Sequence, residues 1–164
     1  VHARKIKSRK KEMSYEQVEL EPIRLVAVSH SGAYNTIGKA FDQLMGICKA
    51  NGIPFAETIG VYHDDPNETP EAELRAHAGM KISDDQVLPE GCEEFIIPGG
   101  LYVKTLHKGS YSGLWPAWQK FMTEGIESTG KDYDIGKCDF EVYLNDCSEV
   151  PEEELLTELY SGIC

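Results

Sequence analysis

The sequence predicts an α+β fold made by tandem duplication of one strand–helix–strand–strand unit. Its antiparallel sheets carry helices on one face and leave a groove between the two halves. Two observations lead there. The chain repeats itself: residues 18–41 align without a gap to residues 95–118 at an offset of 77 (30 to 107), and residues 61–74 align to 142–155 at an offset of 81 (62 to 143). Within each copy the apolar spacing shifts from a period of two to one near 3.6 and back, as strand, helix and strand require.

The first repeated stretch carries the frame His-x-Gly-x-Tyr with an aromatic residue seven positions on. It reads His30, Gly32, Tyr34 and Phe41, then His107, Gly109, Tyr111 and Trp118. Val26 and Val103 match upstream. In the second stretch eight of 14 positions are identical, among them Val61-Tyr62 with Val142-Tyr143 and Pro70-Glu71 with Pro151-Glu152. The change of offset from 77 to 81 places a four-residue insertion near Ser128 to Lys137.

In the first half, Val18 to Leu20 and Leu25 to Val28 are short strands joined at Glu21-Pro22, where proline supplies a φ already suited to a turn. Ile37, Phe41, Leu44 and Cys48 recur at helical spacing, so a helix is expected from about Thr36 to Asn51, stopped by Asn51-Gly52. Ile59 to His63 and the alternating Leu74, Ala76, Ala78, Met80 and Ile82 are strands. In the second half, Phe95 to Ile97 and Tyr102 to His107 flank the turn Pro98-Gly99-Gly100. Ser112 caps a helix running to about Glu127, with Pro116 tolerated in its first turn. Leu114, Trp118, Phe121, Met122 and Ile126 form its inner stripe. Phe140 to Leu144 and Leu155 to Ile163 complete the unit.

Neither half can bury its apolar face alone, so residues 14–164 form one domain of two pseudo-repeats, about 14–83 and 93–164. Residues 1–13 stand apart: His2 to Lys11 is strongly basic with almost no apolar content, and reads as a linker or disordered arm. The remainder is acidic, for a net charge of −12 over 164 residues. That repels phosphates, so the domain by itself is not expected to bind nucleic acid, and favours cationic ligands or basic partners. Simple solubility explains the same charge. The five cysteines, Cys48, Cys92, Cys138, Cys147 and Cys164, form no C-x-x-C pair and suit a reducing, cytoplasmic setting without zinc. No apolar run of about 18 residues exists to cross a membrane. The glycines form no phosphate loop before a helix, and no cofactor is implied.

The pattern resembles the GyrI-like family of small-molecule (effector) binding domains. The residues that carry it are His30 to Tyr34, Gly60 to Pro66 with Thr69-Pro70, Leu74-Arg75, Pro98 to Gly100, His107 to Tyr111, and Phe140 to Asp146 with Glu158. Together they span residues 14–160. Cys147 departs from the family, which often has proline after the preceding Asn-Asp. The resemblance implies tandem strand–helix–strand–strand repeats and a bacterial, cytoplasmic setting. Three roles follow from it: the multidrug-type effector-binding domain of an AraC-type transcription regulator, a hydrolase of cyclopropane-bearing genotoxins, and a free-standing gyrase inhibitor. We expect the first, with the basic arm as the linker from an upstream DNA-binding domain that would make the only DNA contact.

Glu141 is the leading candidate for ligand binding. It interrupts an apolar strand, and Gly60 holds the equivalent place in the first half, so the fold does not demand a carboxylate there. Strand alternation puts Phe140, Val142 and Leu144 against the helices and Glu141 and Tyr143 on the other face. The resemblance implies a central glutamate that contacts cationic drugs; a solvated carboxylate on an open face is the alternative. Tyr62, Tyr143 and Tyr160 are expected beside Glu141 as a stacking and cation–π lining, or else as cross-strand packing. Trp115 lies off the helix stripe and is expected to reach the groove, with Trp118 in the core. His30 and His107, at symmetric strand ends, are expected to be structural, and Asp64-Asp65-Pro66 a turn lacking the spacing of a calcium loop. No Ser-His-Asp or Cys-His spacing supports a catalytic residue.

Overall fold

A computed structural model describes residues 14–164; the basic arm lies outside them. Eight strands alternate with two helical segments. They are β1 (Glu16–Leu20), β2 (Ile23–Ser31), α1 (Gly38–Ala50), β3 (Thr58–Tyr62) and β4 (Arg75–Lys81), then β5 (Glu93–Ile97), β6 (Gly100–Lys108), α2 (Leu114–Lys120), α3 (Ile126–Ser128), β7 (Asp139–Tyr143) and β8 (Leu156–Gly162). All strands join one antiparallel sheet in the order β1-β6-β8-β7-β3-β4-β2-β5. The duplication is exact enough that even the short 3₁₀ turns recur, Tyr34–Thr36 with Tyr111–Gly113 and Glu71–Glu73 with Glu152–Glu154. Among the described residues no helix is long and apolar enough to cross a membrane.

The repeated His-x-Gly-x-Tyr frame builds the turn between strand and helix. Gly32 and Gly109 adopt φ of 107° and 131°, which side-chain-bearing residues avoid. His30 Nε2 lies 3.0 Å from the Ala33 carbonyl, and His107 Nε2 lies 3.0 Å from that of Ser110. Both histidines are thus tied to the local turn.

The halves are interleaved. The strands joined at Glu21-Pro22 do not pair with each other: β1 pairs with β6 of the second half, and β5 pairs with β2 of the first. In the sheet order β1 is first and β2 seventh, while β5 is eighth and β6 second. Each pair is nonetheless joined by two residues, a reach of at most about 10 Å. The sheet must therefore curl until its edges meet. The two turns do touch, since a Cβ on Gly99 would lie 2.9 Å from the Leu20 carbonyl oxygen and 2.9 Å from Pro22 Cδ.

This curl decides which side chains are core. Both faces are covered. On one, α1 packs over Val26, Val28, Ala76, Ala78 and Met80, while Phe121, Leu114, Trp118 and Ile126 pack over Val103 and Leu159. The other face closes on itself around Leu25, Ile59, Val61, Ile97, Tyr102, Phe140, Val142 and Tyr160. The expectation that Phe140 and Val142 face the helices is therefore corrected. They fill the interior of the curl, and Glu141 and Tyr143 point toward the helices. The assumed open second face does not exist.

The second helix also differs from the continuous one expected. After α2, residues Phe121–Gly125 form a π-helical turn before α3. Such insertions rotate one flank of a helix relative to the other.

Candidate functional site

Glu141 lies at the junction of the halves. The ladder between β3 and β7 sets Gly60 directly across from Glu141 and Tyr62 across from Asp139. With no side chain at Gly60, the carboxylate shares that space with two phenols from the same face. Glu141 is 4% exposed.

Three neutral donors converge on it. Trp118 Nε1 donates to Oε1 at 2.7 Å, and the Tyr143 hydroxyl donates to Oε2 at 2.6 Å. The Tyr62 hydroxyl lies 3.1 Å from Oε2 and 2.8 Å from the Tyr143 hydroxyl. The two phenols and Oε2 thus form a triangle of contacts with two phenolic protons for three sides. Burial pushes the Glu141 pKa up, opposed by the hydrogen bonds from Tyr143, Trp118 and Tyr62 and by nearby His107. Burial beside the carboxylate pushes both phenols well above their ordinary value, so they remain donors. Among the described residues no salt bridge reaches Glu141. A buried carboxylate with three donors and no cation is costly when ionised, and a cation placed against it relieves that cost.

Aromatic rings wall the site. Phe41 of α1 meets the Tyr143 ring edge-on at 5.5 Å, Tyr111 meets it at 5.8 Å, and Tyr34 meets Tyr62 at 4.8 Å. Tyr111 is 38% exposed, at the open rim of this ring cluster.

Of the residues expected around the site, Glu141, Tyr143 and Tyr62 meet there. Tyr160 does not. It pairs with Phe140 across β7 and β8 and stacks on that ring at 4.6 Å with a 4° interplanar angle, inside the curl. Strand alternation fixes this: Leu159, not Tyr160, is opposite Glu141. Trp115 stands 42% exposed on α2, and no hydrogen bond joins it to Glu141. The indole that reaches the carboxylate is Trp118, which helical periodicity had assigned to the core. Its ring packs against Phe121, as a core residue would, while its N–H carries the polar contact. Periodicity sees only the ring.

A separate cavity of about 480 Å³ lies at the other face, between Ser29, Ser31, His63, Arg75 and His77 and the loop bearing Tyr133 and Ile135. Several of its charges are matched. Arg75 pairs with Asp64, Lys137 with Asp134, and His77 contacts Glu93 at 2.8 Å and His63 at 2.6 Å. It also contains Asp139, a largely buried carboxylate that accepts from the Ser161 hydroxyl at 2.7 Å and the Tyr133 hydroxyl at 3.0 Å. Glu141 is the stronger candidate because three donors and a wall of aromatic rings converge on it.

An antiparallel sheet with helices on one face, two pseudo-repeats, and an acid beneath aromatic rings at their junction suit a small-molecule binding domain. Comparison with known families makes this specific: the chain belongs to the family described as GyrI-like small molecule binding domain, whose profile matches residues 13–163. It is similar to a DNA gyrase inhibitor of Yersinia enterocolitica, 33% identical over 139 residues that cover 82% of this chain and 88% of that protein. Its fold is that of the EcmrR C-terminal domain, with a TM-score of 0.77, 18% identity, and coverage of 93% and 98% of the two chains. It also matches SAV2435 bound to tetraphenylphosphonium, with a TM-score of 0.62, 12% identity, and coverage of 93% and 94%.

Proposed function

We propose that the chain binds an aromatic organic cation between α1 and the α2 side of the second half, with Glu141 as the counter-charge. The buried carboxylate without a cationic partner carries this reading. Tyr62, Tyr143 and Trp118 fill the space above it and hold it in a closed state. A ligand must swing Tyr62 and Tyr143 aside, exchanging their hydroxyls for its own charge and stacking on their rings. The solved relative holding tetraphenylphosphonium supports a cation as the ligand class. The test is calorimetric titration of tetraphenylphosphonium into the protein and into Glu141→Gln. We expect at least a tenfold loss of affinity in the variant. Equal affinity would remove Glu141 from the site.

Two settings for that binding are supported differently. The role of effector-binding domain in a regulator, AraC-type in our reading, draws on EcmrR, whose C-terminal domain is a fold neighbour and whose longer form is solved in complex with DNA. Gyrase inhibition draws on relatives of that name, the one from Yersinia enterocolitica matched over 88% of its length. The latter is a likeness in sequence, at 33% identity against 18% for the EcmrR domain, and we infer a gyrase-directed role as the stronger of the two. A supercoiling assay decides it: added domain should slow gyrase, and unchanged supercoiling at a large molar excess of domain would return the regulator reading to first place.

A further inference from the structure

Thr157 supplies the observation. It is fully buried, and among the described residues its Oγ1 is the one buried side-chain N or O atom without a hydrogen-bond partner. Its neighbours are polar but committed elsewhere. The register sets Thr157 opposite Tyr143 on β7 and opposite His107 on β6. The Tyr143 hydroxyl goes to Glu141, and His107 Nε2 to the Ser110 carbonyl. The fold does not need a hydroxyl at this place, because the first half has Ala76 there, equally buried at 1% exposure. A buried polar atom left without a partner calls for an unseen one, a water or a ligand group.

The position says which. Leu159 is opposite Glu141, so Thr157, two residues away on β8, is its diagonal neighbour on the helix-facing side. Such diagonal neighbours lie about 7–8 Å apart. Tyr143 borders both, next to Glu141 along β7 and directly opposite Thr157 on β8, so a ligand that takes its place reaches the surroundings of both.

We propose that Thr157 Oγ1 reads a hydrogen-bonding substituent on the ligand. Given the cation reading above, on which this rests, the preferred ligand class is a flat aromatic cation with an amino, hydroxyl or carbonyl group about one ring's width from its charged nitrogen. The charge sits on Glu141 and the substituent on Thr157, which orients the ligand toward the second half. Ala76 gives the first half no matching group.

The probes are 1-methylquinolinium and 6-amino-1-methylquinolinium, titrated calorimetrically into wild type, Thr157→Val, Thr157→Ser and Glu141→Gln. Wild type and Thr157→Ser should prefer the amino compound by roughly five- to tenfold over what Thr157→Val shows, the range of one hydrogen bond. The same preference in Thr157→Val overturns the proposal. Failure of the underlying cation reading looks different: neither compound binds wild type, or both bind Glu141→Gln unchanged, and either result also removes the basis for Thr157. A measurement without ligand adds an independent check. Valine replaces an unpaired hydroxyl with a methyl of the same shape, so Thr157→Val should melt about 2–4 °C higher than wild type. A melting point lowered by that much would mean that the hydroxyl is already satisfied in the free protein, and the proposal would fall.

Discussion

Gly60→Ala tests the construction of the site most directly. A Cβ built on Gly60 lies 2.9 Å from the Tyr143 hydroxyl oxygen, 2.9 Å from that of Tyr62, and 3.2 Å from Tyr62 Cε2. Real Cβ atoms do not approach so closely, so the two phenols must move. Ordinarily a side-chain tip yields at little cost. Here both tips are held, Tyr143 by its 2.6 Å contact with the carboxylate and Tyr62 by its 2.8 Å contact with Tyr143. Displacing them strains or breaks a hydrogen bond to a buried carboxylate.

We expect a loss of about 1–3 kcal/mol, the usual range for overpacking a filled interior. For a domain of this size that is a fall of about 2–4 °C in Tm per kcal/mol. The decisive assay is a thermal-unfolding cycle of wild type, Gly60→Ala, Glu141→Gln and the double variant. Gln anchors the phenols less firmly, so the alanine penalty should shrink in that background, with a coupling of about 0.5–3 kcal/mol. If alanine costs nothing, or costs the same with Glu or Gln at 141, the phenols do not converge over this carboxylate and the account of the site is wrong.

Further outcomes follow from the same geometry. The folded-state pKa of Glu141 is raised above its ordinary 4.5, so the stability this group contributes is full below that value and is lost as pH rises through the folded one. Glu141→Gln does not titrate, and its Tm relative to wild type should therefore climb across that window; a flat difference would show that burial leaves the carboxyl unperturbed. Trp118→Phe keeps an aromatic ring, smaller than the indole, and removes the donor at 2.7 Å, which should cost at least about 1.5–3 kcal/mol in urea unfolding and move the Glu141 titration further upward. Carboxyl carbon shifts in NMR read that movement, and an unchanged titration would separate Trp118 from the site. Tyr160→Phe should leave tetraphenylphosphonium affinity unchanged, since that ring stacks on Phe140 inside the curl; a tenfold loss would put Tyr160 back among the binding residues.

The order of elements was legible because hydrophobic period and turn chemistry are local. Pro98-Gly99, Asn51-Gly52 and the alternation through Ala76, Ala78 and Met80 each act within a few residues. The face of β7 was not legible, because strand alternation says which residues share a side and not which side is covered. Phe140 and Val142 suit the underside of a helix as well as they suit a second apolar interior. Only the sheet order, which makes two-residue turns join strands from opposite edges, shows that the far face closes. Glu141 was found for a sound reason, its contrast with Gly60. Trp118 packs on the core through its ring, as its spacing indicates, but an indole counts as apolar in any periodicity, so its N–H contact with Glu141 was not legible. Thr157 carried a signal that went unused: it replaces Ala76 in an otherwise well-matched pair of strands.

These last cases share one cause. Duplication makes a symmetric container, and a symmetric container cannot hold a single charge on its axis. Had both halves kept glycine at the junction, the phenols would meet over an empty space. Had both carried glutamate, two carboxylates would oppose each other across the β3–β7 ladder, and ionisation of one would hold the other protonated. One glutamate facing one glycine gives a lone acid with room for its partners. The positions where the halves differ in chemistry are therefore where binding is to be sought: Gly60 against Glu141, Phe41 against Trp118, and Ala76 against Thr157. All three differences place the polar group in the second half, so a ligand that is polar at one end and apolar at the other fits in one orientation.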